Sequence, residues 1–284
     1  MKSQIFFAQG ENSKRIRELS QKYEISTVCQ EARCPNKGLC WENLSATFLL
    51  LGPVCTRSCR FCYIKKGKPQ PPNYQTIPKF ARSLAELKLK YYTFTMTTRD
   101  DLADHGVGYL VNLFCKLKEY NPQCYIEVLI SDLGGSYENL FNLLNENVVD
   151  VLSHNLETVR RLTPLIRDRR FSYEKSLQLL SRAKQIKPNI ITKSSIILGF
   201  GEKEEEIIQT MDDLREVDCD CLIIGQYFRP SIKNIEVSKI YNEEEFKYLE
   251  KIALQKGFKF VKAGKNVRTS YKAYEIINLI ENRN

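Results

Sequence analysis

Histidine is almost missing from this chain: only His105 and His154 occur in 284 residues, and neither lies beside its cysteine-rich segment. That scarcity argues against the common zinc sites, which complete four-ligand sets with histidine or with paired C-x2-C knuckles. Long apolar runs are missing too. No stretch approaches the roughly 20 residues of a membrane-crossing helix, and residues 1–10 carry too short an apolar run for a secretory leader. There are no internal repeats and no low-complexity linkers. The one glycine-rich element, Gly199-Phe200-Gly201, lacks the rest of a dinucleotide fingerprint. These absences set aside membrane, secreted, repeat and dinucleotide-binding classes.

Hydrophobic residues at 43% and charged residues at 27% are ordinary for a globular protein, and the length suffices for one large core with extensions. The net charge of +9 fits nucleic acid or an acidic protein partner. Bases and acids are interleaved along most of the chain, however, which favours the acidic protein. The densest basic run, residues 160–170, is punctuated by apolar residues and is expected to form a solvated helix edge.

Cysteine is what the chain has in quantity. Ten cysteines without a leader point to a reducing, cytoplasmic setting, where thiols serve metals more often than disulfides. Six fall in two triplets, Cys29, Cys34 and Cys40 (C-x4-C-x5-C), then Cys55, Cys59 and Cys62 (C-x3-C-x2-C). Three thiolates on one short loop can hold three irons of a cubane cluster and leave the fourth open for chemistry. Zinc or a disulfide is the plainer alternative for such a loop. Cys115, Cys124, Cys219 and Cys221 stand in helix or strand contexts and are expected to be small buried hydrophobes.

Along the chain, an amphipathic helix is expected over 13–22. Strand-like runs follow at 47–51, 92–96, 125–130, 148–152, 190–198 and 221–224. Helical periodicity lies between them at 81–90, 109–120, 137–146, 176–186 and 204–217. Six βα-like units in series predict a parallel sheet, because parallel strands need crossovers. An open doubly wound sheet and an incompletely closed barrel both fit that order. The barrel, a partial (β/α)6 barrel of TIM type, is favoured because polar groups collect where the strands end: the Cys55 loop, Thr97–Asp101, Ser131-Asp132, Ser153-His154-Asn155, Gly199–Glu202 and Gly225-Gln226-Tyr227. Past Pro230 the alternation weakens into a helix at 241–256, a short strand at 258–261 and a closing helix after Ala273.

The second triplet, followed by aromatic Tyr63, resembles the cluster loop of the radical S-adenosylmethionine (SAM) superfamily. The segment from Thr27 to Asn36, with Cys40-Trp41 and Ala46-Thr47-Phe48, resembles the lipoyl synthase family within it. So do Arg99–Leu102, His154–Thr158, Thr192-Lys193-Ser194, Gly225-Gln226-Tyr227 and the closing Arg268-Thr269-Ser270-Tyr271. The resemblance implies a 4Fe–4S cluster on Cys55, Cys59 and Cys62 that binds SAM and releases a 5′-deoxyadenosyl radical. It also implies an auxiliary, sacrificial 4Fe–4S cluster on Cys29, Cys34 and Cys40, with Ser270 as its fourth ligand. The implied reaction abstracts hydrogen at C6 and C8 of a protein-bound octanoyl-lysine and inserts sulfur from that auxiliary cluster. Candidate SAM or substrate contacts are Tyr63, Thr98, Arg99, His154, Asn155, Lys193, Glu202 and Gln226.

The implied partners are an octanoylated lipoyl domain or glycine-cleavage H protein, a flavodoxin- or ferredoxin-type electron donor and an iron–sulfur carrier, with neither nucleic acid nor membrane. On this reading residues 1–45 carry the auxiliary cysteines, 46–232 form the partial barrel, and 233–284 supply the Arg-Thr-Ser-Tyr segment. The chain departs from the family pattern at Thr97 and Thr98, at His105, at Arg229, over 231–234 and at Thr269. These departures leave a different acyl substrate as the neighbouring alternative, with a non-catalytic metal-binding module further off.

Overall fold

The structure is a computed structural model that describes residues 10–23 and 25–282, so the leader reading falls mostly outside it. Seven strands, β1 (Thr47–Leu50), β2 (Tyr91–Met96), β3 (Tyr125–Leu129), β4 (Val151–Ser153), β5 (Ile191–Leu198), β6 (Cys221–Gln226) and β7 (Phe260–Gly264), lie side by side in chain order. Every neighbouring pair is parallel, as in Leu50 against Met96 and Ile196 against Ile224. Parallel strands are covered on both faces, and all six residues of β2 are buried.

Helices α4 (Ile77–Glu86), α5 (Val107–Tyr120), α6 (Tyr137–Asn145), α8 (Tyr173–Ile186), α9 (Glu204–Glu216) and α10 (Glu243–Gln255) form the crossovers. They follow α1 (Glu11–Lys22), α2 (Val28–Glu31) and α3 (Lys37–Glu42), and a four-residue α7 (Thr163–Ile166) sits between α6 and α8. In α9 the buried stripe is Ile207, Met211 and Leu214, and Glu204, Glu205 and Glu206 favour the positive end of the helix. Helix α4 begins four residues earlier than its periodicity suggests. Pro78 stands in its first turn, where a missing N–H costs nothing.

The sheet curls without closing: among the described residues β1 and β7 are edges. Alternate residues of several strands (Thr47 and Leu49, Thr93 and Thr95, Glu127 and Leu129, Ser195 and Ile197) line one cavity of about 700 Å³. That period of two identifies the concave, barrel-interior face. The expected six strands are all present. The seventh comes from the C-terminal extension, whose Phe260 pairs with Cys221.

Both extensions are tied to the barrel. At the N-terminal side Glu42 accepts from the Gly10 amide at 2.9 Å and from the Ser13 hydroxyl, joining α1 to α3. After β7 the chain turns back. Residues 266–270 line the cavity, and Ala273, Ile276 and Ile280 then bury against Tyr91, Val151, Ile191 and Cys221. Those four open strands β2, β4, β5 and β6, so α11 (Ile277–Glu281) and the turn before it plug the bottom of the barrel. The segment bearing Ser270 therefore descends through the barrel instead of crossing its rim.

Candidate functional site

The Cys55–Cys62 loop leaves the top of β1 and is held by main-chain and carboxylate contacts. Val54-Cys55 pairs in parallel with Lys65-Lys66, and the Gly67 amide donates to the Cys55 carbonyl at 3.0 Å. Asp168 accepts from the Ser58 amide at 2.8 Å and the Ser58 hydroxyl at 3.1 Å. Two amides point at sulfur: Arg57 N–H at Cys55 Sγ (3.4 Å) and Asp168 N–H at Cys59 Sγ (3.3 Å). Such donors favour negative charge on the sulfurs. Burial acts in the opposite sense, raising the Cys59 pKa and pushing Cys62 up to about 12. The loop is thus built for thiolates that a metal centre would compensate. Among the described residues no three His, Cys, Asp or Glu side chains converge on a single point.

Beneath the loop lies a charged frame that local sequence patterns did not reveal. Arg57 pairs with Asp100 and Asp132, both at 2.8 Å, with its own side chain 3% exposed. Arg170 bridges Asp100 (2.9 Å) and Asp168 (2.8 Å), holding Asp168 well below the usual carboxylate range. Phe171 lies with the guanidinium groups of Arg57 and Arg167 at 4.1 and 3.8 Å from its ring centre. The solvated helix edge expected over 160–170 holds for Arg160, Arg161, Arg169 and Arg170, which are exposed, and is corrected at its centre. Helix α7 ends at Ile166, Arg167 turns extended, and Arg167 and Asp168 are buried against the cysteine loop.

The three thiols of the second triplet face the cavity together with Tyr63, Thr98, His154, Asn155, Gln226 and Ser270. Two polar atoms on its wall, Arg167 Nε and Asn155 Oδ1, are buried without a partner. One donates and the other accepts, which suits a ligand carrying both a carboxylate and an amine, as the aminoacyl end of SAM does. Glu157 is also on the wall, its pKa raised by burial against the opposing pull of Arg167 and Asn155. Phe61, between the second and third cysteines, packs on Phe200, which packs on Tyr227 at 4.5 Å. An aromatic residue inside the triplet is a signal available in the sequence beside that of Tyr63.

Several sequence candidates serve the wall from behind. Arg99 is fully buried on Asp101 and the Leu51 carbonyl. Glu202 accepts from the Gly199 and Phe200 amides at 2.6 and 2.8 Å, bracing the turn after β5. Lys193 pairs with Glu127 inside the barrel. His154 and Gln226 reach the cavity with their polar groups engaged. His154 Nδ1–H donates to the Ile130 carbonyl at 3.0 Å, and burial, with Arg167 nearby, lowers its pKa to about 4. The Gln226 amide donates to the Leu198 and Lys239 carbonyls, both at 3.0 Å.

Cys29 and Cys34 of the first triplet face the same cavity; Cys40 stands behind them. Burial raises Cys29 to about 11 and Cys40 to about 12, with Cys34 adding to both and Cys29 also to Cys40. The two triplet loops touch where the Arg33 guanidinium stacks over Tyr63 at 4.5 Å. Asn36 in the first loop donates to the Asn266 carbonyl at 2.5 Å, across 230 residues. That contact ties the start of the descending C-terminal segment to the first triplet's loop, and Ser270 further along it lines the cavity. Gly225 makes room for it: a Cβ there would stand 2.4 Å from the Val267 carbonyl oxygen.

Residues 49–214 match the Radical SAM superfamily. The chain is 48% identical over 275 residues to a lipoyl synthase of Sulfolobus acidocaldarius, covering 97% of this chain and 94% of that one. It is 45% identical over 270 residues to a lipoyl synthase of Bacillus subtilis, covering 95% and 90%. Among solved structures, methylornithine synthase superposes with a TM-score of 0.57 at 15% identity, covering 82% of this chain and 80% of that one. The FeFe-hydrogenase maturase HydG from Carboxydothermus hydrogenoformans gives 0.58 at 12% identity, covering 96% and 79%. These two likenesses concern the fold.

Proposed function

The chain belongs to the lipoyl synthase family of the radical SAM superfamily, and from that membership we propose how its two cysteine triplets divide the work. The reaction is sulfur insertion at C6 and C8 of a protein-bound octanoyl group. Cys55, Cys59 and Cys62 hold the 4Fe–4S cluster that binds SAM. Cys29, Cys34 and Cys40, with Ser270, hold an auxiliary cluster. When bound, the first cluster supplies the electron that cleaves SAM to methionine and a 5′-deoxyadenosyl radical, and the second supplies sulfur.

The chain's own residues orient and enclose. Asp168 and the Asp168 and Arg57 amides hold the second triplet's loop in one shape. The unpartnered Arg167 Nε and Asn155 Oδ1 receive the aminoacyl end of SAM, and Phe61, Phe200 and Tyr227 offer an aromatic surface to its adenine. Tyr63, Thr98, His154 and Gln226 complete the wall, while Arg99 and Glu202 brace it. Leu49, Met96, Leu129 and Ile197 line the interior with apolar surface suited to an unactivated acyl chain. The observation that carries this reading is that Cys29 and Cys34 of the first triplet, all three thiols of the second, and Ser270 open onto one cavity.

The acceptor is an octanoylated lipoyl domain or H protein, whose acidity would suit the +9 charge. A flavodoxin- or ferredoxin-type donor and an iron–sulfur carrier are the remaining partners. The six ligand cysteines must stay reduced, which fits a cytoplasmic setting. Anaerobic reconstitution should give about eight irons per chain. Reduced enzyme incubated with SAM and an octanoylated lipoyl domain should add two sulfurs to that domain, read by mass spectrometry. Cys59→Ala should abolish SAM cleavage, whereas Cys34→Ala should keep cleavage and lose sulfur insertion. Lipoyl product from the Cys34 variant would overturn the division.

A further inference from the structure

The barrel interior holds an ion pair that neither triplet uses. Lys193 of β5 and Glu127 of β3 are paired with both side chains 0% exposed. Tyr91 and Ser153 hydroxyls donate to the same carboxylate at 2.7 and 2.8 Å, so Glu127 is fully engaged. Lys193 has donors to spare, and one reaches the descending C-terminal segment: Nζ donates to the Thr269 carbonyl at 2.9 Å. Other contacts converge on the same stretch. Asn155 donates to the Thr269 hydroxyl at 3.0 Å, Asn36 donates to the Asn266 carbonyl, and Gly225 admits the Val267 carbonyl.

A buried ion pair often contributes no more stability than apolar residues of the same volume, so stability alone is a weak account of this one. Direction is a better account. Glu127 aims the ammonium, and the ammonium holds a main-chain oxygen one peptide link from Ser270. Because the peptide is planar, displacement of that carbonyl is passed on to Ser270.

We propose that Lys193, aimed by Glu127, is a positioning residue that sets the depth of residues 266–270 in the barrel and so delivers Ser270 to the first cysteine triplet. This rests on the reading of Ser270 as a ligand, and the test separates the two. Lys193→Met alone would strand the Glu127 charge, so the informative variant is Glu127→Gln with Lys193→Met, which removes both charges together. The Glu127→Gln/Lys193→Gln pair stays polar but is too short to hold Thr269, and serves as a second variant with the same expectation.

Amide hydrogen exchange is read on the full chain before iron loading, at Val267 and Tyr271, whose N–H groups are bonded to Gly264 and Arg268. Exchange there should rise at least about tenfold while the strands keep their protection. Iron after reconstitution should fall from about eight to about four per chain. Exchange at the unsubstituted rate overturns the clamp. Faster exchange with all the iron retained upholds the clamp and removes Ser270 from the ligand set.

Discussion

Replacing Asp132 with alanine tests the frame beneath the second triplet's loop. Asp132 and Arg57 are 2% and 3% exposed and are joined by two close contacts, at 2.8 and 2.9 Å. Breaking a buried pair by removing one partner costs about 3–5 kcal/mol, because the remaining charge is left uncompensated. Arg57 keeps Asp100, itself 21% exposed, so the lower end applies, about 3 kcal/mol. At about 2–4 °C per kcal/mol for a chain near this size, the melting temperature should fall by about 6–12 °C. Arg57 is part of the cysteine loop, so iron on the second triplet should also become easier to chelate. Anaerobic calorimetry beside an iron count reads both. Arg57→Met with Asp132→Leu removes the charges together and should recover at least half of the lost stability, since Asp100 retains Arg170. A single variant melting within about 2 °C of the parent would refute the reasoning. So would a double variant as unstable as the single one.

Three further outcomes follow from particular contacts. Gly225→Ala places a Cβ 2.4 Å from the Val267 carbonyl oxygen, so it should cost about 1–3 kcal/mol in a melt and reduce iron on the first triplet. Unchanged iron would mean that the segment shifts freely. His154 is held neutral in the folded chain, its pKa lowered to about 4 by burial and by Arg167. Its contribution is complete above the ordinary value of about 6.5 and is lost as pH falls toward about 4, by roughly 3 kcal/mol. His154→Gln should therefore flatten the stability–pH curve in that window, and an unaltered slope would contradict the assignment. Arg33→Ala removes the cation–π contact with Tyr63 and should lower the melting temperature by no more than about 4 °C, consistent with about 0.5–1 kcal/mol for such a contact; a larger loss would mean that this contact holds the two triplet loops together.

Much of the fold was legible because its signals are local. Apolar runs such as Tyr91–Met96 and stripes such as Ile207, Met211 and Leu214 follow from periodicities of two and 3.6 within single elements. Boundaries were less legible where a proline or a left-handed residue decides them, as at Pro78 and Lys88 flanking α4. The candidate site divides in the same way. The triplets announce themselves by spacing, whereas Arg57 meets Asp132 across 75 residues and Ser58 meets Asp168 across 110. The 160–170 run is a surface edge at Arg160, Arg161, Arg169 and Arg170 but not at Asp168, whose partner Ser58 is distant in sequence.

Sequence by itself determined the two cysteine groupings on which the proposed clusters rest, and that parallel βα units accompany them. Those properties reside in residue types at short spacing, where the covalent chain dictates proximity. Tertiary structure alone decided that the C-terminal segment descends through an unclosed barrel, that Gly225 admits it, and that Lys193 and Glu127 lie within reach of it. Contacts over such separations depend on how the sheet curls and where it stays open, which no short stretch of residues specifies.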